Sequence, residues 1–130
     1  MKVLEKSGAL LCNQEVSEYV KLVKDSPSSS SLQNLQTICV ELRSYLKERP
    51  ANNPENPQTA ENLKAFSKEL KENDIKLEKT ELLQVINSAP DNWPVLYCLI
   101  EEADIRFSEA QLEKILELSQ KYLGSERVPQ

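Results

Sequence analysis

Residues 108–124 read SEAQLEKILELSQKYLG, and the fold is decided there. Ser108 and Gln111 fit the S-x-x-Q capping box, in which the hydroxyl accepts the N–H at the third helical position while the glutamine reaches back to the cap N–H. Leu112, Ile115, Leu116, Ser119, Tyr122 and Leu123 then recur at spacings of three and four, the repeat that gathers side chains on one helical face. Glu117 and Lys121 are set for an i,i+4 pair of about 0.2–0.5 kcal/mol, and Gly124 is placed to end the helix. Start signal, periodic face and stop signal agree on a helix over 108–123.

The same reading extends toward the N-terminus. Thr59 caps a helix over 60–73 that turns Leu63, Phe66 and Leu70 inward, and Asn73-Asp74 breaks it. A helix over 78–88 carries Leu82, Leu83, Val85 and Ile86 and stops at Asn87-Ser-Ala-Pro90. Another over 92–103 opens at Trp93-Pro94, where proline is tolerated in the first turn, and carries Leu96, Leu99, Ile100 and Ala103. Four helices between 59 and 123 make a compact bundle. Upstream, Leu35, Ile38, Cys39, Leu42, Tyr45 and Leu46 form the strongest stripe in the chain, predicting a helix over 32–48. Arg43, Lys47 and Arg49 sit in its last turns, where they complement the helix dipole. Val16, Tyr19, Val20 and Val23 predict a helix over 13–24 with Asn13 as its cap, preceded by a short extended arm, Gly8–Cys12.

The two halves meet at Pro50-Ala-Asn-Asn-Pro-Glu-Asn-Pro57, whose three prolines cannot occupy a helix interior. The expected fold is therefore all-α. An N-terminal arm and two helices (1–49) precede a Pro-rich linker (50–58), a four-helix bundle (59–124) and a tail (125–130). The Ser-rich stretch 25–31 reads as a flexible loop, with a phosphorylation site as the second reading. Glycine occurs only at Gly8 and Gly124, which removes most routes to tight β-hairpins.

Composition narrows the function. Hydrophobic residues are 39% of the chain and aromatic residues 5%, lean enough that a partner is expected to complete some apolar surface. The net charge is −5, and the imbalance is local: residues 51–107 hold six Lys/Arg against eleven Asp/Glu, whereas residues 1–50 hold seven against six. Autonomous nucleic-acid binders usually carry a basic face, so strong independent binding is not expected. There is no histidine, which removes the commonest general base and metal ligand. No phosphate loop, GxSxG elbow or HExxH appears. Cys12, Cys39 and Cys98 lie far apart, without the spacing of a zinc site or a disulfide framework. Cys39 and Cys98 read as small core hydrophobes, and reduced thiols suit the cytosol or nucleus. No cofactor, metal or catalytic residue is expected, and no membrane span or signal peptide. Glu101, Glu102 and Asp104 read as a solvated acidic edge, or as a receiver for a basic partner. Trp93 reads as a core plug at a helix corner, or as an interface anchor. The 35–46 stripe is core in a monomer and interface in an assembly.

Beyond the residues' own chemistry, Ala9-Leu-Leu-Cys-Asn-Gln-Glu-Val16, Gln33-Asn-Leu-Gln-Thr-Ile38, Leu82-Leu-Gln-Val-Ile-Asn-Ser-Ala-Pro90, Ile100-Glu-Glu102 and Arg106-Phe-Ser-Glu-Ala-Gln-Leu-Glu113 together resemble the small stalk subunit of RNA polymerase III, the CGRP-receptor-component family. Their order and coverage, over about 9–123, carry the resemblance. It implies an HRDC-like C-terminal bundle in a non-catalytic, nuclear subunit. It also implies a heterodimer with a larger OB-fold stalk partner, attachment to the polymerase core, and recruitment of the TFIIIB-type initiation factor near the nascent RNA. By position, Leu10, Leu11, Val16 and Tyr19 are expected at the partner contact, with Leu35, Ile38 and Leu42 next, the arm adding a strand to the partner's sheet. A free adaptor in receptor signalling and an HRDC-like nucleic-acid-binding module are the alternatives. The acidic bundle argues against the second.

Overall fold

The structure, a computed structural model, describes residues 8–25 and 33–124 together with Lys2 and Leu4. Among them the chain is helical, with no strand: α1 (Asn13–Asp25), α2 (Gln33–Lys47), α3 (Ala60–Glu72), α4 (Lys79–Ser88), α5 (Trp93–Leu99), α6 (Ala103–Arg106) and α7 (Glu109–Tyr122). The all-α expectation holds. Most of the Ser-rich stretch and the tail 125–130 lie outside the described residues.

α7 forms for the reasons its sequence supplies. The Ser108 N–H donates to Gln111 Oε1 at 3.0 Å and the Gln111 N–H to Ser108 Oγ at 3.3 Å, completing the capping box. Its inner face buries Leu112, Ile115, Leu116, Ser119 and Tyr122, and also Leu118, which lay outside the expected stripe. α3 packs along α7 and contributes Phe66 and Leu70 to the shared core. The Thr59 hydroxyl caps α3 by accepting the Asn62 N–H at 3.2 Å. Ile75, Val85, Ile86, Leu96, Ile100, Ala103 and Phe107 fill the remaining space, with Trp93 half-buried against them.

Four local expectations change. The helix expected over 92–103 is broken: Ile100 is extended and Glu102 is left-handed (φ 50°), so α5 and α6 are separate and the bundle holds five helical segments rather than four. Both Ile100 and Ala103 are buried, and the turn between them lets the chain change direction while keeping both in the core. The cap of α1 is one residue earlier than Asn13. The Cys12 carbonyl accepts the first helical N–H, from Val16, at 3.0 Å, and the Asn13 N–H goes to Asn87 Oδ1 at 2.8 Å. Lys121 ignores Glu117 and reaches Glu69 on α3 at 3.1 Å, while Glu117 pairs with Lys114. Cys98 is exposed on α5 rather than in the core.

The proline-rich stretch forms a 3-10 turn, Pro50–Asn52, that contacts α1, α2 and α4 and buries Ala51. The Gln58 side chain is buried, and its Nε2 donates to the Ile86 carbonyl at 3.0 Å and the Leu123 carbonyl at 3.1 Å. Both carbonyls lie at helix C-termini, where no intrahelical donor remains.

Two predictions follow from this frame. Gln58→Ala strands two buried carbonyls, each costing about 1–3 kcal/mol, so urea denaturation is expected to show a loss of about 2–4 kcal/mol. Ala89 ends α4 in the left-handed region at φ 46°, a conformation costing an L-residue roughly 1–2 kcal/mol. Ala89→Gly relieves that cost against about 0.4–1 kcal/mol of added unfolded-state freedom. The same assay is expected to show a net gain of about 0.5–1 kcal/mol.

Candidate partner interface

α1 and α2 pack together as a pair. Val20, Cys39 and Leu46 are buried, and Val16, Val23, Leu35 and Leu42 are half-buried. The spacing of three and four along 35–39–42–46 makes this row the inward face of α2. The rest of α1 is arranged unusually. Gln14 and Ser17 are buried, while Tyr19 is 61% and Leu22 72% exposed. A helix of a free-standing globule turns its apolar face to the core. α1 buries polar side chains and leaves two large apolar ones outside.

Of the seven residues expected at a partner contact, Leu10, Leu11, Tyr19 and Ile38 are exposed, Ile38 at 56%. Val16, Leu35 and Leu42 are half-buried in the helix pair. Leu22, Val40 and Tyr45 are also exposed; of these the sequence offers only Tyr45, as part of the 35–46 stripe, and none is among the seven expected contacts. The i,i+3 step from Tyr19 to Leu22 and the i,i+7 step from Ile38 to Tyr45 were available signals, since both place the later residue on the same side as the earlier one. Gly8–Cys12 runs without regular structure.

The arm is fastened where it meets the bundle. Cys12 is buried in the bundle core, and its N–H donates to Glu15 Oε2 at 2.8 Å. Burial pushes the Cys12 thiol upward, so it stays protonated and unreactive.

Charge pairs lock the bundle behind this surface. Arg106 forms a two-pronged bond with Glu81, at 2.7 Å and 3.1 Å, and also donates to the Glu101 carbonyl at 3.0 Å. These bonds tie the short α6 to α4. The Arg106 bond holds the Glu81 carboxyl below the usual range. The Tyr122 hydroxyl, with Lys121 behind it, does the same to Glu69. Glu101, Glu102 and Asp104 are exposed. Among the described residues no group of Cys, Asp and Glu side chains is placed to hold a metal ion, and no helix is long and apolar enough to cross a membrane.

The family model for RNA polymerase Rpb4 matches residues 10–123. The chain belongs to the RNA polymerase Rpb4 family. The Rpb4-family match runs from the exposed Leu10 to the end of α7, taking in both the helix pair and the bundle. A curated relative is the DNA-directed RNA polymerase III subunit RPC9 of Saccharomyces cerevisiae. It is 44% identical over 50 residues, covering 38% of this chain and 31% of that protein. A second is the DNA-directed RNA polymerase III subunit rpc9 of Schizosaccharomyces pombe, 30% identical over 133 residues, covering 90% of this chain and 95% of that protein.

The Glu81–Arg106 pair predicts the acid response of this Rpb4-family chain. A carboxyl whose folded pKa lies below its unfolded value, about 4.3 for glutamate, contributes fully above that value. The contribution disappears as pH falls through the lower folded pKa. Glu81→Gln is therefore expected to melt at a lower temperature than the parent at pH 7, with the difference shrinking as the buffer is taken below about pH 4. Thermal melts across that range check it.

Proposed function

We propose that the chain is a small non-catalytic subunit of RNA polymerase III. In this reading it holds the larger OB-fold stalk subunit through residues 1–49, attaches with it to the polymerase core alongside its HRDC-like bundle (59–124), and helps recruit the TFIIIB-type initiation factor in the nucleus. Family membership and the likeness to two polymerase III subunits support the assembly. The observation that carries the docking face is the burial pattern of α1, in which Gln14 and Ser17 join Val20 inside while Tyr19 and Leu22 stay exposed, together with the exposed Ile38 of the helix it packs against.

Exposed aromatic and large aliphatic side chains are the kind that become interface anchors when a partner desolvates them. Leu10 and Leu11 precede α1 in an unpaired, exposed stretch, the form in which a chain can add to a sheet edge. The nascent RNA would meet the heterodimer rather than this chain's acidic bundle alone.

Co-expression with the OB-fold stalk subunit, followed by size-exclusion chromatography, tests the reading. The two chains are expected to co-elute. Tyr19→Glu combined with Ile38→Glu is expected to lower recovery of the complex more than tenfold without changing the melting temperature of the isolated chain. Ile105→Glu, on the exposed side of α6, leaves recovery unchanged. Undiminished co-elution of the double variant would overturn the docking face. Affinity purification from nuclear extract without other polymerase III subunits would overturn the assembly.

A further inference from the structure

The C-terminal half of α2 and the proline-rich loop enclose an open groove of about 610 Å³. Val40, Arg43 and Lys47 line it from the helix, and Asn52, Asn53 and Pro54 from the loop. No carboxylate lines it, although the chain as a whole carries −5. Among the described residues neither Arg43 nor Lys47 has an ion-pair partner. Arg49, the next cation, is engaged elsewhere, its guanidinium 4.5 Å from the centre of the Tyr45 ring. Glu55 follows Pro54 directly but lies outside the lining, its N–H donating to Asn53 Oδ1 at 2.9 Å. Val40 is 61% exposed at the groove.

Helix geometry separates this groove from the face proposed for the stalk partner. Each residue advances about 100° around an α-helix, so Val40 and Lys47 lie on the opposite flank of α2 from Ile38 and Tyr45. A ligand in the groove leaves that flank uncovered.

We infer that this groove is a docking site for an acidic peptide segment of a partner protein, one that carries carboxylates on either side of an apolar residue. Arg43 and Lys47 face the carboxylates, Arg43 offering the planar fork that matches a carboxylate. Val40 and Pro54 receive the apolar side chain. The Asn52 amide offers a donor and an acceptor to an extended backbone, and Asn53 offers its Nδ2 donor, its Oδ1 being taken by the Glu55 and Asn56 N–H groups. A nucleic acid fits the groove less well. Single strands are held by aromatic stacking platforms along a track of positive charge, and this lining has two cations and no aromatic ring. The inference stands independently of the polymerase reading.

Anisotropy titration of the full chain against a fluorescein-labelled twelve-residue peptide of alternating Asp and Glu with a central Leu tests it. A labelled oligouridylate of equal length serves as the competing probe. Saturable peptide binding is expected, weakened at least tenfold by Arg43→Glu with Lys47→Glu, and several-fold by Val40→Ser. Ile38→Glu, on the other flank, leaves it unchanged. Arg43→Gln with Lys47→Gln provides the milder variant, and circular dichroism melts of both pairs establish folding. Peptide binding that is absent, or indifferent to both charge variants, overturns the inference. So does tighter oligouridylate binding that the same variants abolish.

Discussion

Two helices of this protein end against one side chain. α4 and α7 each leave carbonyls beyond the reach of intrahelical donors, and the buried Nε2 of Gln58 supplies a hydrogen to Ile86 and to Leu123. An amide in that position does what no apolar residue can do, because a buried carbonyl without a donor costs more than a typical hydrogen bond returns. The consequence is architectural. Gln58 follows the proline-rich turn, and its own N–H donates to the Ala51 carbonyl at 3.1 Å. The same few residues therefore close the bundle's open end and hold the turn on which α1 and α2 rest. With the Asn13–Asn87 bond and buried Cys12, they fix where the helix pair leaves the bundle.

What leaves the bundle is a pair of helices that cannot satisfy itself. The interior row of α2 is conventional, but the inner face of α1 places Gln14 and Ser17 beside Val20. The large side chains of Tyr19 and Leu22 are left with nothing to cover them among the described residues. The bundle shows the reverse economy, with Phe66, Val85, Ile115, Leu118 and Leu123 fully enclosed. One chain thus combines a finished core with an unfinished face, the division expected of a subunit whose stability and attachment are separate tasks.

How much of this was legible depended on whether the signal was local. The capping box at Ser108, the cap at Thr59 and the breaks at Asp74 and Ala89 rest on neighbouring residues, and each was readable. Ile100 and Ala103 kept a helical spacing, so the break between α5 and α6 was hidden. It is stabilised from outside, by Arg106 gripping Glu81 on another helix, and no window of sequence contains both. Gln58 was invisible for the same reason, its partners lying 28 and 65 residues away. The candidate contact face was partly readable. The resemblance pointed to Leu35, Ile38 and Leu42, but neither it nor the α2 periodicity could say that Ile38 would be the exposed member and the other two half-buried. Nor could it reveal that Gln14 and Ser17 would take the inward positions on α1, since polar residues give no stripe. The groove beside Arg43 and Lys47 is formed by a loop folding back, which spacing cannot encode.

The reach of Gln58 also sets an order of events during synthesis. A ribosome releases the chain from its N-terminus, and domains fold as their parts become available. α1 and α2 emerge first, but the donor–acceptor joint that seats them waits for Leu123, 65 residues beyond Gln58. During that interval the helix pair is exposed to the cell before its own bundle exists. Any chaperone or assembling subunit that recognises Tyr19, Leu22 or Ile38 meets them while the chain is still being made, so capture can precede folding rather than follow it.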